Sequence, residues 1–427
     1  MKIWVFQTGE PLPIDKGQFR PMRAINLCNK LIQAGHQVNL WSSDFSHQEK
    51  QFRGMANLPI ELSDNFRIRL IPSWGYKKNI GLERLLDHLL LAVNLKRMLN
   101  KETELPDVVF IGYPPIETAY VLSKWLNARK IPILLDIKDQ WPIIFVDQLP
   151  RIARPFGIFL FWPYFYLARN TMKRASGISS MADGFLKWAL DFCGKTKSDN
   201  DRVFPLTTPT DQIGDSELRS ACQWWDSIGV RNDETKRLCF VGSFSPAFNF
   251  VSIKEAAQLA LDQGANLQFV LCGDGNVVNK TKDMMSGLPN VVFPGWIDRP
   301  KIEALASRSI ASIAPYYNTQ DFMLSIPNKI IDSLALGLPI LSPLKGEVEP
   351  LIDGFGVGLM YVDESEAGSD SLYHAIESLV KDKKLQISMS ENARNLYNAR
   401  FSFESVYGAL VNHLEHMVAD SRAALDV

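Results

Sequence analysis

The 427-residue chain has few of the features that tie a protein to a metal, a membrane span or nucleic acid. Its five cysteines, Cys28, Cys193, Cys222, Cys239 and Cys272, are odd in number, far apart and in no Cys-x-x-Cys pair. That spacing argues against a thiolate metal site and points to a reducing compartment, with the thiols acting as small core hydrophobes. No stretch offers the ~20 uninterrupted apolar residues that cross a bilayer. The longest aromatic run, Phe156 to Leu167, is interrupted by Gly157 and Pro163. Met1 to Gln7 reaches Glu10 too soon to hold the apolar stretch of a secretory signal and reads as a buried strand. Charge of one sign is also missing. The 46 basic residues nearly cancel the 47 acidic ones, so no global field draws the chain to nucleic acid, and any electrostatic targeting must be local. There is no short-period repeat and no low-complexity tract.

What is present is the balance of a soluble globular protein, 46% apolar and 22% charged. The length exceeds what one core usually organises, and two domains of roughly 200 residues each are expected. Short β-branched or aromatic runs alternate with helix-length amphipathic segments, the pattern of parallel sheets covered by helices. In the first half, strands are expected at 2–7, 37–41, 67–71, 108–111, 133–135 and 177–179. Helices fit between them at 21–34, 82–99, 117–128, 156–174 and 184–192. The polar stretch Gly194 to Arg202 suits a linker. A second unit follows, with strands at 238–241, 268–272, 291–293, 311–314, 339–341 and 358–361. The expected division is 1–200, 201–400 and a terminal helix within 401–427. In that last segment Phe403, Tyr407, Leu410, Val411 and Leu414 form an apolar face that needs a partner, and the first domain is the expected one.

Ligands of such sheets bind at the carboxyl ends of the strands, so the chemistry is sought in those loops. After the first strand, Gly9 and Gly17 either let the backbone approach a ligand or simply turn the chain, since the spacing is not Gly-x-Gly-x-x-Gly. Arg20 and Arg23 follow at a helix start, where they either meet an anionic group or face solvent. Gly112-Tyr113-Pro114-Pro115 is a further candidate loop. Asp136 and Asp139, in Asp136-Ile137-Lys138-Asp139-Gln140-Trp141-Pro142, are placed just beyond a strand. Two acids there can orient sugar hydroxyls or take a proton from one, with Trp141 as a stacking face; the alternative is a turn or cap role.

In the second half, Gly242 and Ser243 close a strand and offer N–H groups to an anion, and Gly273 and Gly275 end the next. Ser325-Ile326-Pro327-Asn328-Lys329-Ile330-Ile331-Asp332 reads as a helix start, with Ser325 as N-cap and Pro327 in the first turn. Its free N–H groups, including that of Asn328, and the charge of Lys329 can hold a phosphate, while Asp332 can accept from a ribose. A capped helix with solvated Lys and Asp is the alternative. Glu347, after a later strand, either touches a donor group or begins a helix.

Taken together, Gly35-His36-Gln37-Val38, Asp136 to Pro142, Phe240-Val241-Gly242-Ser243, Gly273-Asp274-Gly275, Val292-Phe293-Pro294-Gly295-Trp296 and Pro327-Asn328-Lys329 to Gly337-Leu338-Pro339 resemble the retaining, GT-B-fold glycosyltransferases of family 4. The likeness is closest to bacterial enzymes of O-antigen and polysaccharide assembly, and it extends over nearly the whole chain. It implies an α/β fold of two facing Rossmann-like, doubly wound domains with a C-terminal helix crossing back to the first. It also implies a nucleotide-sugar donor (UDP- or GDP-sugar) held by the second domain, a glycan or lipid-linked glycan acceptor held by the first, no further cofactor and no metal. The activity implied is hexosyl or N-acetylhexosaminyl transfer with retention. Two departures stand out. The first acid of the family's Glu pair falls on Leu324, with Asp321 near but out of register and Asp332 at the second position. Pro246-Ala247-Phe248-Asn249 also stands where relatives carry a basic residue, which leaves Lys329 as the cation expected at the leaving diphosphate.

The segment Arg151 to Arg174 joins Arg151, Arg154, Arg169, Lys173 and Arg174 to the aromatic run without one acidic residue. It reads either as a seat in an anionic membrane interface or as a core helix with a basic end. Leu82 to Leu99, flanked by Lys77, Lys78, Lys96 and Arg97, is a second such segment. The expected location is therefore cytoplasmic, with the inner face of the cell membrane as a peripheral station. A nucleotide-sugar epimerase and a noncatalytic sugar-binding subunit remain as alternative functions at this level.

Overall fold

The computed structural model describes residues 1–15, 21–56, 59–78, 81–147, 149–207, 213–363 and 371–423. Gly17 and Arg20 lie outside the described residues. The chain divides into two compact units, Met1–Phe204 with Val406–Val427, and Pro205–Ser405.

The first unit is built on β1 (Lys2–Phe6), β2 (Gln37–Ser43), the small pair β3 (Phe45–Ser46) and β4 (Gln51–Phe52), β5 (Pro59–Ser63), β6 (Phe66–Ile71), β7 (Val108–Tyr113), β8 (Ile133–Ile137), β9 (Gly177–Ser180) and β10 (Arg202–Val203). Its main sheet runs β10-β9-β8-β7-β1-β2-β6-β5 and is parallel except at the antiparallel β5–β6 edge. β7 and β8 are buried at every position. This is why β7 and the first three residues of β8 read as unbroken apolar runs rather than alternating ones, since helices cover both faces of a parallel sheet.

The segment Gly194 to Arg202 is no linker. Asp201 is buried and accepts hydrogen bonds from the amides of Ile178 and Ser198, both at 2.8 Å, and from the Ser198 hydroxyl at 2.7 Å. These bonds fasten the polar stretch to β9, and Arg202–Val203 then adds an edge strand. The single helix expected over 156–174 is two, Arg154–Leu160 and Trp162–Arg174, because Pro163 lacks the N–H that would continue the ladder. The helix Phe403–Ala423 buries Val406, Tyr407, Leu410, Val411, Leu414, Met417 and Val418. Within the first unit its Glu415 meets His36 Nε2 at 2.9 Å, and His413 Nε2 lies 3.1 Å from the Asn200 carbonyl.

The second unit carries β11 (Lys236–Val241), β12 (Leu267–Cys272), β13 (Val291–Gly295), β14 (Ala311–Ile313), β15 (Ile340–Ser342) and β16 (Gly358–Met360). They form an all-parallel sheet ordered β13-β12-β11-β14-β15-β16. In each unit the first strand lies centrally and the chain winds outward on both sides, so the order reverses between β1 and β7 and again between β11 and β14. The crevice outside the carboxyl ends at such a reversal is where this topology places ligands.

Candidate functional site

At the reversal in the second unit, the loops after β11 and β12 are sewn together by their own backbones. The Gly242 N–H donates to Cys272 O at 2.9 Å, Phe244 N–H to Asp274 O at 2.8 Å, and Gly273 N–H to Gly295 O at 2.7 Å. The Gly275 N–H donates to its neighbour Asp274 Oδ1 at 2.7 Å. The Gly242 N–H, expected to face an anion, is thus taken within the chain, as are those of Gly273 and Gly275. The glycines are required for a different reason. All three have φ between +132° and +154°, and a Cβ at Gly273 would strike the Gly242 carbonyl, one at Gly275 the Phe244 backbone, and one at Gly242 the Lys329 ammonium. Ser243, next to Gly242, is exposed at the end of the strand.

Lys329 comes from the first turn of the helix Asn328–Leu336. Its Nζ donates to the Val241 carbonyl at the carboxyl end of β11 and lies 4.1 Å from the Phe240 ring centroid and 5.1 Å from that of Phe248. Burial pushes its pKa down to about 8, although the negative charge of Asp332 on the same helix works the other way. A cation that is partly desolvated and held by one carbonyl and two ring faces gains strongly from a nearby anion.

The N-cap of this helix is Pro327, not Ser325. The Ser325 hydroxyl instead donates backward, to Asp321 O at 3.1 Å and Phe322 O at 3.4 Å, closing the short helix Gln320–Met323. Asn328, at the first helical position, is exposed. Glu347 reaches the same neighbourhood through its backbone, whose N–H donates to Met323 O at 2.9 Å. Asn318 ties that loop further, accepting from Lys345 N–H at 2.7 Å and donating to Pro343 O at 3.1 Å. Gly242, Lys329 and Asp332 are therefore linked directly or through one charge interaction. Ser325 and Glu347 join through the Asp321–Ser325 segment.

At the reversal in the first unit there is a cavity of about 240 Å³. Gln7, Thr8, Gly9 and Glu10 after β1, Pro114 and Pro115 after β7, and Lys138 and Asp139 after β8 line one side of it. His47, Tyr76, Arg84, Asp87 and His88 line another. Lys138 ties the loops together, donating to Glu10 and, at 3.1 Å, to Gln7 Oε1. The second Glu10 oxygen accepts from the Ala24 N–H at 2.8 Å in the first turn of the helix Arg23–Gln33.

Of the two acids proposed for the acceptor, only Asp139 lines this cavity. β8 runs two residues further than expected and carries Asp136 into the sheet, where it is 1% exposed. Arg23 Nε and Nη2 donate to its two oxygens at 2.8 Å, and the Ser179 hydroxyl adds a third bond at 2.8 Å. Burial alone would raise this carboxyl, but the Arg23 and Lys138 charges outweigh it and hold the pKa below its ordinary value. Asp136 has no face left for a substrate, and Arg23, whose Nη1 donates to Phe204 O at 2.8 Å, is its structural partner. Trp141 is not an open stacking face either. It is buried, with its ring 4.6 Å from Phe145 and 5.8 Å from His88, and the Arg84 guanidinium 5.0 Å above it.

The residues missed in the sequence are Glu10, Tyr76, Arg84, His88 and Lys138. Lys138 could have been found, because it stands between the two acids singled out. His88 could have been flagged by rarity, as one of only six histidines and set in the middle of an apolar helix. Among the described residues no group of three or more His, Cys, Asp or Glu side chains could hold a metal ion. No described helix is long and apolar enough to cross a membrane.

Residues 225–396 match the family described as Glycosyl transferases group 1. That stretch spans both glycine loops, Lys329, Asp332 and Glu347, and it supports a glycosyltransferase. No curated protein matches the sequence. Solved structures do match in fold. A sucrose-phosphate synthase from Thermosynechococcus elongatus is 15% identical with a TM-score of 0.68, covering 98% of this chain and 99% of that one. HepE of Anabaena, solved in complex with UDP, is 13% identical at TM-score 0.62, with 97% and 99% covered. WaaG, a glycosyltransferase involved in lipopolysaccharide biosynthesis, is 14% identical at 0.63, with 96% and 99% covered. At these identities the likeness is one of fold, and the fold is GT-B.

Proposed function

We propose that the protein is a glycosyltransferase that moves a hexosyl or N-acetylhexosaminyl group from a UDP- or GDP-sugar to a hydroxyl of a glycan or lipid-linked glycan, with retention of anomeric configuration. The observation that carries this reading is the Lys329 ammonium at the carboxyl end of β11, at the reversal of strand order inside the stretch that matches group 1 glycosyl transferases. Transfer breaks the bond between the anomeric carbon and the diphosphate, so negative charge grows on the departing nucleoside diphosphate. A poorly solvated lysine is worth more to that state than to an empty site, and losing one such group from an active site can cost ~100-fold or more in rate. The helix start at Asn328 adds the positive end of its dipole. Asp332, whose charge acts on Lys329, and Glu347 are the carboxylates assigned to ribose and sugar hydroxyls in this reading. HepE, similar in fold, was solved with UDP-glucose as well as with UDP, which favours a uridine nucleotide as the first donor to try.

The acceptor belongs to the first-unit cavity in this reading, with Asp139 at its rim. A lipid-linked acceptor is favoured by the surface nearby. Leu82, Ile152 and Phe159 are 78%, 96% and 79% exposed, and Leu86, Phe156 and Trp162 are exposed with them. Arg151 and Arg154 flank this apolar surface, and no acidic residue occurs between Arg151 and Arg174. That chemistry suits the headgroup boundary of an anionic membrane and a peripheral station at its inner face.

Calorimetry with UDP, GDP and their glucose, galactose and N-acetylglucosamine conjugates tests the donor. Binding in the micromolar range that fails in Lys329→Ala is expected, and no binding of any nucleotide overturns the reading. Co-sedimentation with phosphatidylglycerol vesicles tests the membrane station. Loss of binding in a variant carrying Phe156→Ser, Phe159→Ser and Arg154→Ser supports it, and a protein that stays in the supernatant refutes it.

A further inference from the structure

We propose that His88 Nε2 is the group in the first-unit cavity that receives a sugar hydroxyl, and that Glu117 behind it decides which ring nitrogen carries the proton. This deepens the acceptor half of the proposed function and rests on it.

The geometry begins with packing. His88 projects from the helix Leu82–Leu99 and is 4% exposed. Its ring meets that of Tyr76 edge-on at 6.4 Å and lies 5.8 Å from that of Trp141. Nδ1 stands 3.7 Å from Oε2 of Glu117, a carboxylate on the first turn of the helix Ile116–Asn127. Nδ1 and both Glu117 oxygens are sealed from solvent; Nδ1 has no hydrogen-bond partner, and the Tyr164 hydroxyl is the neighbour that reaches Glu117, lowering its pKa as a hydrogen-bond donor although outside the ideal distance and angle. A buried polar group left unpaired costs ~1–3 kcal/mol, so Nδ1, sealed and 3.7 Å from this carboxylate, is poised to pair with it. Nε2, on the opposite side of the ring, has no partner among the described residues and is not sealed, and the ring lines the cavity. The cavity's 240 Å³ equals the liquid volume of about eight waters, room for one sugar ring.

The charges around the pair keep the imidazole neutral. Burial, then Arg84 and His47, holds the His88 pKa down to about 3. Burial raises Glu117 to about 7, against the smaller opposing effects of a backbone hydrogen bond at Glu117 itself, a hydrogen bond from Tyr164 and the Arg84 charge, while Asp87 adds to the rise. Tyr113, also buried beside Glu117, stays protonated. Two states follow from this. With Glu117 ionised, its carboxylate accepts from Nδ1–H and Nε2 presents a lone pair to the cavity. With Glu117 protonated, its O–H donates to Nδ1 and Nε2 becomes a donor. A sugar hydroxyl that gives its hydrogen to Nε2 keeps its oxygen lone pairs free, the orientation an acceptor requires. His88 is then a binding residue and Glu117 a positioning residue, and hydroxyl capture strengthens as the pH rises through neutrality.

Saturation-transfer NMR on the full chain tests this, with the methyl glycosides of glucose, galactose and N-acetylglucosamine as probes. At least one should bind, about tenfold more tightly at pH 8 than at pH 6. His88→Phe keeps the ring packing without the nitrogens and should lose that binding at least tenfold. Glu117→Gln cannot ionise and should bind with no dependence on pH, and nitrogen-15 shifts of the His88 ring should change tautomer with pH in the wild type alone. Should His88→Phe unfold, Glu117→Gln and the ring shifts still decide. Glycoside binding unchanged in His88→Phe, a pH profile kept in Glu117→Gln, or no glycoside binding at all overturns the proposal. Calorimetry with UDP in parallel separates the two readings. UDP binding without glycoside binding removes this inference alone, and glycoside binding without UDP removes the transfer reading alone.

Discussion

Replacing Lys329 by methionine should make the empty protein more stable and the donor site useless. In the folded chain the ammonium is pushed from 10.5 to about 8, a penalty worth ~3 kcal/mol at neutral pH relative to a lysine in water. Methionine fills much the same volume against Phe240 and Phe248 without that penalty. It also abandons the Val241 carbonyl, which returns ~1 kcal/mol, so the variant should gain ~1–2 kcal/mol below pH 8. The sign is set by proton binding. Between pH 8 and 10.5 the unfolded lysine holds a proton that the folded one has lost, so wild-type stability rises with pH across that window and the variant's advantage disappears by its upper end. Denaturant titrations at pH 7 and pH 10.5 read both numbers. UDP reverses the order, because a diphosphate supplies the counter-charge that the empty site lacks. Its affinity should fall ~30–100-fold in the variant, the worth of a charge-assisted hydrogen bond. Wild-type binding near pH 8.5 should take up a proton, visible as a dependence of the calorimetric enthalpy on the buffer. A variant less stable than wild type at pH 7, or one that binds UDP equally well, would refute the assignment of Lys329 as a partly desolvated cation awaiting an anion.

Asp136→Asn leaves Arg23 buried without its counter-charge and should cost ~3–5 kcal/mol, read as a fall in the unfolding midpoint, while an effect confined to acceptor KM would contradict a structural role for this carboxylate. Gly273→Ala drives a methyl into the Gly242 carbonyl and should destabilise more than Gly242→Ala, where the obstructing atom is the mobile end of Lys329. Thermal unfolding of the two variants side by side checks the order. Gly242→Ala should also displace Lys329 and weaken UDP binding without a matching loss of fold.

The elements most legible in the sequence were those whose pattern is local. The helix Leu82–Leu99 has the bounds expected of it, and the buried strands β1 and β7 announce themselves as β-branched and aromatic runs and the start of β8 as an Ile/Leu run. The failures came where a partner distant in the chain changes what a residue does. Gly194 to Arg202 looked like a linker because it is polar, yet Asp201 turns that polarity into bonds with β9. Ser325 had the composition of an N-cap, but the helix begins three residues later and the hydroxyl serves the preceding turn.

By itself the sequence determined the class of fold, because alternating apolar strands and amphipathic helices have few ways to bury both faces of a sheet. It also singled out Lys329 and the glycines at the ends of β11 and β12. Only the tertiary structure decided that Asp136 is taken up inside the fold. Arg23 reaches Asp136 across 113 positions and silences it, and helix packing sets His88 against Glu117 at the floor of a cavity that no local spacing could reveal. Charge and desolvation act through space, and the distances that govern them exist only once the chain has folded.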